Sequence, residues 1–359
     1  MNVKDNNRSI LFFISSLSFG GAEKQTVMDA NLLSKDNNVY LVTFFDGPQL
    51  KLLNEKVNYI KLNKRGYLQT ARQLAVICKE NKIYIIHASL FAACTISALS
   101  SLISKIPVIW HFHSHEYDIP QKSCLAFRLL AKLPSVKKIL FVNHELMEHF
   151  SGFNFPKKKQ GVLYNHSTID SAVVQQKTKE DDIINIGYLG RVIGLKRLEY
   201  LVSLASYLLS KKVLNFRIHI VGDGESMPDL IKSVGATGVE EHFLFHGFQA
   251  DVQRYYQLFE IFVNPSSEEC LSIAMIDAGM MALPIVAFDV GGNNEIVLNN
   301  QTGYIVQSKK EFFRKVFTVI RNKSLRLEMG QKACSHCAAK FSEEAHLVKI
   351  QSLYKEVLG

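Results

Sequence analysis

Asn264-Pro265-Ser266-Ser267-Glu268-Glu269-Cys270-Leu271-Ser272-Ile273-Ala274-Met275-Ile276-Asp277-Ala278-Gly279 is the stretch whose reading decides the fold. Before it lies Ile261–Asn264, a short apolar run of the kind that makes a buried strand. Pro265 ends that strand, because it has no N–H to give to a ladder. A polar turn with two carboxylates follows, and an apolar pattern of helical period opens near Leu271 or Ser272. A strand, a polar turn and a helix in this order make half of a βαβ unit. The first main-chain N–H groups of such a helix lack intrahelical partners and favour an anion. Glu269 sits before the helix, and Asp277 about two turns inside it.

The same alternation extends in both directions. Before the stretch, strands are expected at Ile183–Leu189, Phe216–Val221 and Phe243–His246, and after it at Ile285–Phe288 and Tyr304–Val306. Helices are expected at Arg197–Leu209, Met227–Val234, Val252–Leu258, Ser272–Met281 and Lys310–Arg321. Earlier in the chain, strands are expected at Ile10–Ser15, Val39–Phe44, Val57–Leu62, Ile83–His87, Val108–His113 and Lys138–Val142. Helices over Gln25–Leu33, Leu68–Lys79, Phe91–Ile103 and Cys124–Leu133 separate most of them. Repeated βαβ units require parallel sheets with helices on both faces. The charged stretch Gln175–Asp182 lacks apolar periodicity, which puts a connection near residues 165–182. The expected division is 1–165, then 166–342, with a last helix over about 343–359 that packs back on the first part.

Bulk composition agrees with two folded domains. The chain has 359 residues, 47% hydrophobic and 21% charged, too apolar for a disordered chain. Its net charge of +9 is unevenly spread: residues 1–160 hold 21 Lys+Arg against 11 Asp+Glu, whereas residues 161–359 hold 21 against 22. A basic first half fits an anionic partner such as lipid headgroups. Lys61, Lys64, Arg65 and Arg72 near one helix, and Lys122, Arg128 and Lys132 along another, are the candidate contacts. Lys4 and Arg8 precede the apolar run Ile10–Leu17, but no small-residue cleavage site follows, so the run reads as the first strand. No run approaches the roughly 18 apolar residues of a membrane span. Among six cysteines only Cys334-Ser335-His336-Cys337 has a suggestive spacing, and in a helical stretch it reads as packing.

In open parallel sheets, ligands bind beyond the carboxyl ends of the strands. Gly190-Arg191, with Lys196 five residues on, follows one strand end. A guanidinium fork and an ammonium there suit a diphosphate. Gly222 and Gly224 follow the next strand and allow a tight turn and a close approach. Gly291-Gly292-Asn293-Asn294-Glu295 follows a later one.

In this order and spacing, these residues resemble the retaining GT-B glycosyltransferases of family four, the group 1 type of bacterial polysaccharide and lipid-glycan synthesis. The resemblance rests on Gly190, Arg191 and Lys196, on Gly222 and Gly224, on Glu269 and Asp277, on Pro284-Ile285-Val286-Ala287, and on the Gly291-Gly292 turn with Glu295. Gly20-Gly21-Ala22-Glu23 and His113 extend it, more loosely, into the first half. It implies two Rossmann-like domains whose parallel sheets face a central cleft. It implies transfer of a hexosyl or N-acetylhexosaminyl group from a nucleoside-diphosphate sugar to a glycan acceptor, lipid-linked, with retention. Neither metal nor cofactor is implied. Glu269 and His113 would meet the sugar, and Gly20, Gly21, Arg191, Lys196, Gly222, Leu271, Ser272 and Asp277 would hold the nucleotide and diphosphate. The family usually has Glu where Asp277 stands, and a Gly-x-Pro where Ala282-Leu283-Pro284 stands. The expected setting is the cytoplasm, peripheral on the inner membrane face, with no nucleic-acid partner. The same architecture would also serve a sugar-nucleotide epimerase or a non-catalytic donor-binding homologue.

Overall fold

The computed structural model describes residues 9–115, 121–170 and 183–359, without the side chains of 121–124. The stretch 175–182, with Asp181-Asp182, and the side chains of Lys122 and Cys124 lie outside the described residues.

Two compact units result. Residues 1–165 and 346–359 form the first, and residues 166–345 the second. In the first, β1 (Ser9–Phe13), α1 (Gly21–Leu33), β2 (Asn38–Thr43), β3 (Val57–Lys61), α2 (Tyr67–Glu80), β4 (Ile83–Ser89), α3 (Phe91–Ser104), β5 (Val108–Phe112), α4 (Gln121–Ala131), β6 (Val136–Phe141), α5 (His144–His149) and β7 (Gln160–Val162) follow in turn. Its seven strands are all parallel, in the order β3-β2-β1-β4-β5-β6-β7. β1 and β5 are buried along their whole length, which is why they read as continuous apolar runs rather than alternating ones. Trp110 of β5 stacks on Phe127 of α4 at 4.5 Å and 7°.

The second unit contains β8 (Ile184–Leu189), α6 (Glu199–Ser210), β9 (Phe216–Val221), α7 (Met227–Thr237), β10 (Phe243–Gly247), α8 (Gln253–Leu258), β11 (Ile261–Asn264), α9 (Ile273–Met280), β12 (Ile285–Phe288), α10 (Asn293–Ile296), β13 (Gly303–Val306), α11 (Lys309–Arg321) and α12 (Lys323–Phe341). Six parallel strands run in the order β10-β9-β8-β11-β12-β13. The last helix, α13 (Glu343–Leu358), inserts Ile350, Leu353, Tyr354 and Val357 among Ile10, Phe12, Val27 and Ile85 of the first unit. Each apolar side chain buried this way contributes about 1.5–3 kcal/mol.

Most elements lie where the sequence puts them, within two or three residues. α1 is an exception, starting at Gly21 rather than Gln25. β7 and α5 are additions too short for a clear pattern. α12 was visible only as a helical stretch around Cys334. It is capped by Asn322, whose Oδ1 accepts from the Leu325 N–H at 2.9 Å. Its buried stripe, Met329, Ala333, Cys337 and Phe341, has an even spacing of four, but small residues blur the pattern. Cys337 packs against Gly279 and Cys334 donates to the Met280 carbonyl, so this pair serves helix packing. Among the described residues, no helix is long and apolar enough to cross a membrane.

Each sheet reverses its winding once, between β1 and β4 and between β8 and β11. Loops leaving neighbouring strands diverge there, opening a crevice at the carboxyl ends. These two points are where each unit can hold a ligand.

Candidate active site

In the second unit the crevice is bounded by the loops after β8, β11 and β12. They are fastened to one another. The Ser267 N–H and hydroxyl both reach the Leu195 carbonyl, at 2.8 and 3.0 Å. Lys196 Nζ lies 2.6 Å from Glu269 Oε1, with both side chains largely buried. The Gly292 N–H donates to the Cys270 carbonyl at 2.6 Å, pinning the third loop.

Glu269 is held on one side only. Its Oε1 accepts from Lys196 Nζ, from Ser266 Oγ at 2.9 Å and from Asn264 Nδ2 at 3.1 Å. Three donors on one oxygen fix the rotamer. Arg191, on the loop after β8, is exposed, and among the described residues no carboxylate pairs with it. Its main chain is propped from below by Tyr188, whose hydroxyl donates to the Arg191 carbonyl at 2.9 Å. Burial pushes the Tyr188 hydroxyl well up, so it stays a neutral donor.

Two glycines admit a neighbouring backbone. Gly222 was read as a place for a ligand to come close. The group that comes close is the Gly190 carbonyl: at φ +135° a Cβ on Gly222 would meet that oxygen at 1.9 Å. Gly291, at φ +55°, would put its Cβ 1.8 Å from the Glu269 carbonyl. Both glycines let site loops touch, with L-side chains excluded by the fold itself. Gly291→Ala is therefore expected to displace Glu269 and lower the melting temperature by several degrees, measured by thermal unfolding beside activity.

Asp277 is 3% exposed, on α9, and accepts from Ser167 Oγ. Leu271 is buried as well and can offer only its main chain. Ser272 caps α9, its hydroxyl accepting from the Met275 N–H. Nothing in the sequence near Asp277 points to Ser167, 110 positions away.

In the first unit, Gly20 is the residue before α1 and Gly21 its first residue, directly after the loop from β1. His113 follows β5 with 8% exposure, its Nε2 3.5 Å from Ser89 Oγ at the end of β4. Between these strands Leu90 has φ +72° and ψ +157°, a backbone region nearly reserved for glycine. Sequence pattern gives no sign of this strain. His111 and His115 are not equivalents of His113. His111 is fully enclosed, while His115 lies near Glu145 at 4.0 Å and against the His149 ring.

A hydrogen-bonded chain runs below His113. His111 Nε2 faces the Leu163 carbonyl at 3.2 Å, so that nitrogen carries the hydrogen. His111 Nδ1 must then accept from His87 Nε2 at 3.3 Å, and His87 Nδ1 from the Tyr354 hydroxyl at 2.8 Å. Every ring in the chain is satisfied in its neutral form. Burial accordingly lowers His87 and His113 from 6.5 to about 4 and holds His111 well below the usual histidine value, with Asp29 opposing at His87 and His113. These depressed values mean that the unfolded chain takes up protons first as pH falls. The stability they contribute is complete above about pH 6.5 and is lost as pH falls towards 4. Urea unfolding followed from pH 7 to pH 4.5 should show it, and His87→Gln should flatten the slope.

Residues 183–322 match the family described as "Glycosyl transferases group 1", and residues 19–166 match "Glycosyltransferase Family 4". Together the matches cover more than half of the chain, and the protein belongs to these glycosyltransferases. Its fold is GT-B. An uncharacterised glycosyltransferase of Haemophilus influenzae is 25% identical over 98% of this chain and 100% of its own. The poly(ribitol-phosphate) alpha-N-acetylglucosaminyltransferase of Staphylococcus aureus (strain COL) is 24% identical, over 60% of this chain. This chain covers only 50% of that enzyme's length. Anabaena HepE, solved in complex with UDP, superposes with a TM-score of 0.83 at 19% identity, covering 97% of this chain and 100% of that one.

Proposed function

We propose that this protein transfers a hexosyl or N-acetylhexosaminyl group from a uridine-diphosphate sugar to a hydroxyl of a glycan acceptor, with retention of configuration. The observation carrying this reading is the second unit's switch point. There Glu269 is clamped through one oxygen after β11, and Arg191, exposed and with no carboxylate partner among the described residues, stands on the loop after the neighbouring strand β8. An exposed arginine and a fixed carboxylate at adjoining strand ends suit a diphosphate next to a sugar. Arg191 would meet the phosphates as the glycosidic bond breaks, where growing charge most needs neutralising. Lys196 would move from Glu269 towards the same phosphates or hold Glu269 in place. Glu269 Oε2 would face the sugar. Neutral His113 would offer a ring nitrogen as donor or acceptor and no charge. These groups neutralise the leaving diphosphate without a metal. The UDP in HepE and the polymer acceptor of the Staphylococcus enzyme support the choice of donor and of a polysaccharide-type acceptor.

The test is incubation of the full chain with UDP-glucose, UDP-galactose and UDP-N-acetylglucosamine, with and without a lipid-linked glycan acceptor. Acceptor-dependent UDP release, and a product whose anomeric coupling matches the donor, are expected. A new nucleotide sugar without acceptor would instead identify an epimerase, and no turnover with tight donor binding a non-catalytic homologue.

For the lipid-linked acceptor we propose docking of the first unit on anionic lipid. Leu68 on α2, and Leu125 and Leu129 on α4, are exposed beside Arg72, Arg128 and Lys132. Lys61 contributes less than its sequence position implies, since it is held by Asp46. Sedimentation with phosphatidylglycerol vesicles should exceed that with phosphatidylcholine alone; equal binding would remove the proposal.

A further inference from the structure

On the outer face of the second unit, α6 and α11 run side by side and leave a groove of about 490 Å³ lined by Tyr207, Lys211, Lys309, Lys310, Phe313 and Arg314. It uses none of the residues assigned to the donor. Its floor is aromatic: Tyr207 and Phe313 lie 5.5 Å apart at 32°, with Phe317 edge-on to Tyr207. Its rim is cationic. Lys211 Nζ sits 5.7 Å over Tyr207, and Lys309 Nζ sits 5.7 Å over Phe313 and 4.7 Å over Tyr200. Lys309 also donates to Ser203 at 2.9 Å.

Charge is concentrated here without local compensation. Residues 161–359 hold 21 basic against 22 acidic side chains, so four cations around one groove are not a share of a general excess. Among the described residues, no carboxylate is within ion-pair distance of Lys211, Lys309, Lys310 or Arg314. Glu311, the nearest acid in sequence, instead accepts from the Gln307 N–H. Lys310 and Arg314 are four apart on one helix, an unfavourable like-charge pair unless something anionic lies across them.

We propose that this groove binds an anionic glycan, a sugar chain bearing phosphate or carboxylate groups, as an exosite away from the donor. Tyr207 and Phe313 line the groove, and aromatic rings suit the apolar C–H face of a sugar ring. The four cations suit acidic groups that recur along a chain at sugar-sized intervals. Occupancy would retain a growing acidic polymer between transfers. The retention role rests on the glycosyl-transfer reading, whereas the binding itself does not.

The test uses the full chain and a polygalacturonate oligosaccharide, followed by calorimetry at low salt and by protection of lysines from an amine-reactive label. Protection of Lys211, Lys309 and Lys310, and affinity weakened at least tenfold in Lys310→Ala/Arg314→Ala, are expected. Neutral dextran of equal length should not protect them. UDP binding, read separately, should be unchanged in the variant, so loss of UDP binding in the natural protein would count against the donor reading alone. The proposal is overturned if the double variant binds polygalacturonate normally. It is equally overturned if Lys157→Ala/Lys158→Ala/Lys159→Ala in the first unit accounts for all binding, or if single-stranded DNA protects the groove better than the glycan.

Discussion

Replacing Glu269 by Gln is expected to lower turnover about 10²–10³-fold with little change in donor KM, the size of effect seen when one preorganised polar group is removed from a transition-state site. The amide has the same shape, and its oxygen can still accept from Ser266 and Asn264. What disappears is the negative charge opposite Lys196, 2.6 Å away. The ammonium then loses its partner inside a largely enclosed pocket, and the face towards the sugar turns neutral. Glu269→Asp should fall between the two, since a carboxylate one methylene shorter cannot keep all three donors. Initial rates of UDP release, with thermal melting to show that each variant folds, check this. Unimpaired turnover in Glu269→Gln would remove the carboxylate from the mechanism.

Replacing Asp29 by Ala is expected to destabilise the first unit by about 1–3 kcal/mol, the cost of leaving its buried polar partners unsatisfied. Asp29 Oδ1 lies 2.9 Å from His346 Nε2, and Gln25 Nε2 donates to the same oxygen at 2.7 Å. Both side chains are 3% exposed or less. The other ring nitrogen, Nδ1, faces the Tyr164 carbonyl at 3.0 Å, an acceptor only. The contact between Asp29 and His346 joins α13 to α1. Asp29→Asn, which retains an accepting oxygen, should lose less. Urea unfolding gives the size of the effect, and hydrogen exchange across 346–358 should rise as the last helix loosens. Unchanged exchange there would mean that the apolar contacts of Ile350, Leu353 and Val357 hold α13 alone.

Much of the site was readable before any coordinates. Arg191, Lys196 and Glu269 each follow a strand of strong β-branched character, and parallel sheets put such positions at one edge. The partners that orient them were not readable. Asn264 and Ser266 look like ordinary turn residues, and only the folded loop turns both onto Glu269. Asp277 is similar: its spacing from Glu269 was readable, but its burial and its contact with Ser167 were not.

By itself the sequence determined the alternation of strands and helices, the two parallel sheets, the unequal charge of the two halves and the strand ends where chemistry can occur. These follow from periodicity and from the conformational preferences of neighbouring residues, which act over a few positions of chain. Tertiary structure alone decided which glycines admit a neighbouring backbone and which tautomers His87 and His111 adopt. It also decided that Tyr354 closes a chain of hydrogen bonds 267 residues away from His87, and that four cations gather along α6 and α11. Contacts of that kind depend on which side chains meet after long loops close, and no local pattern in the chain encodes the meeting.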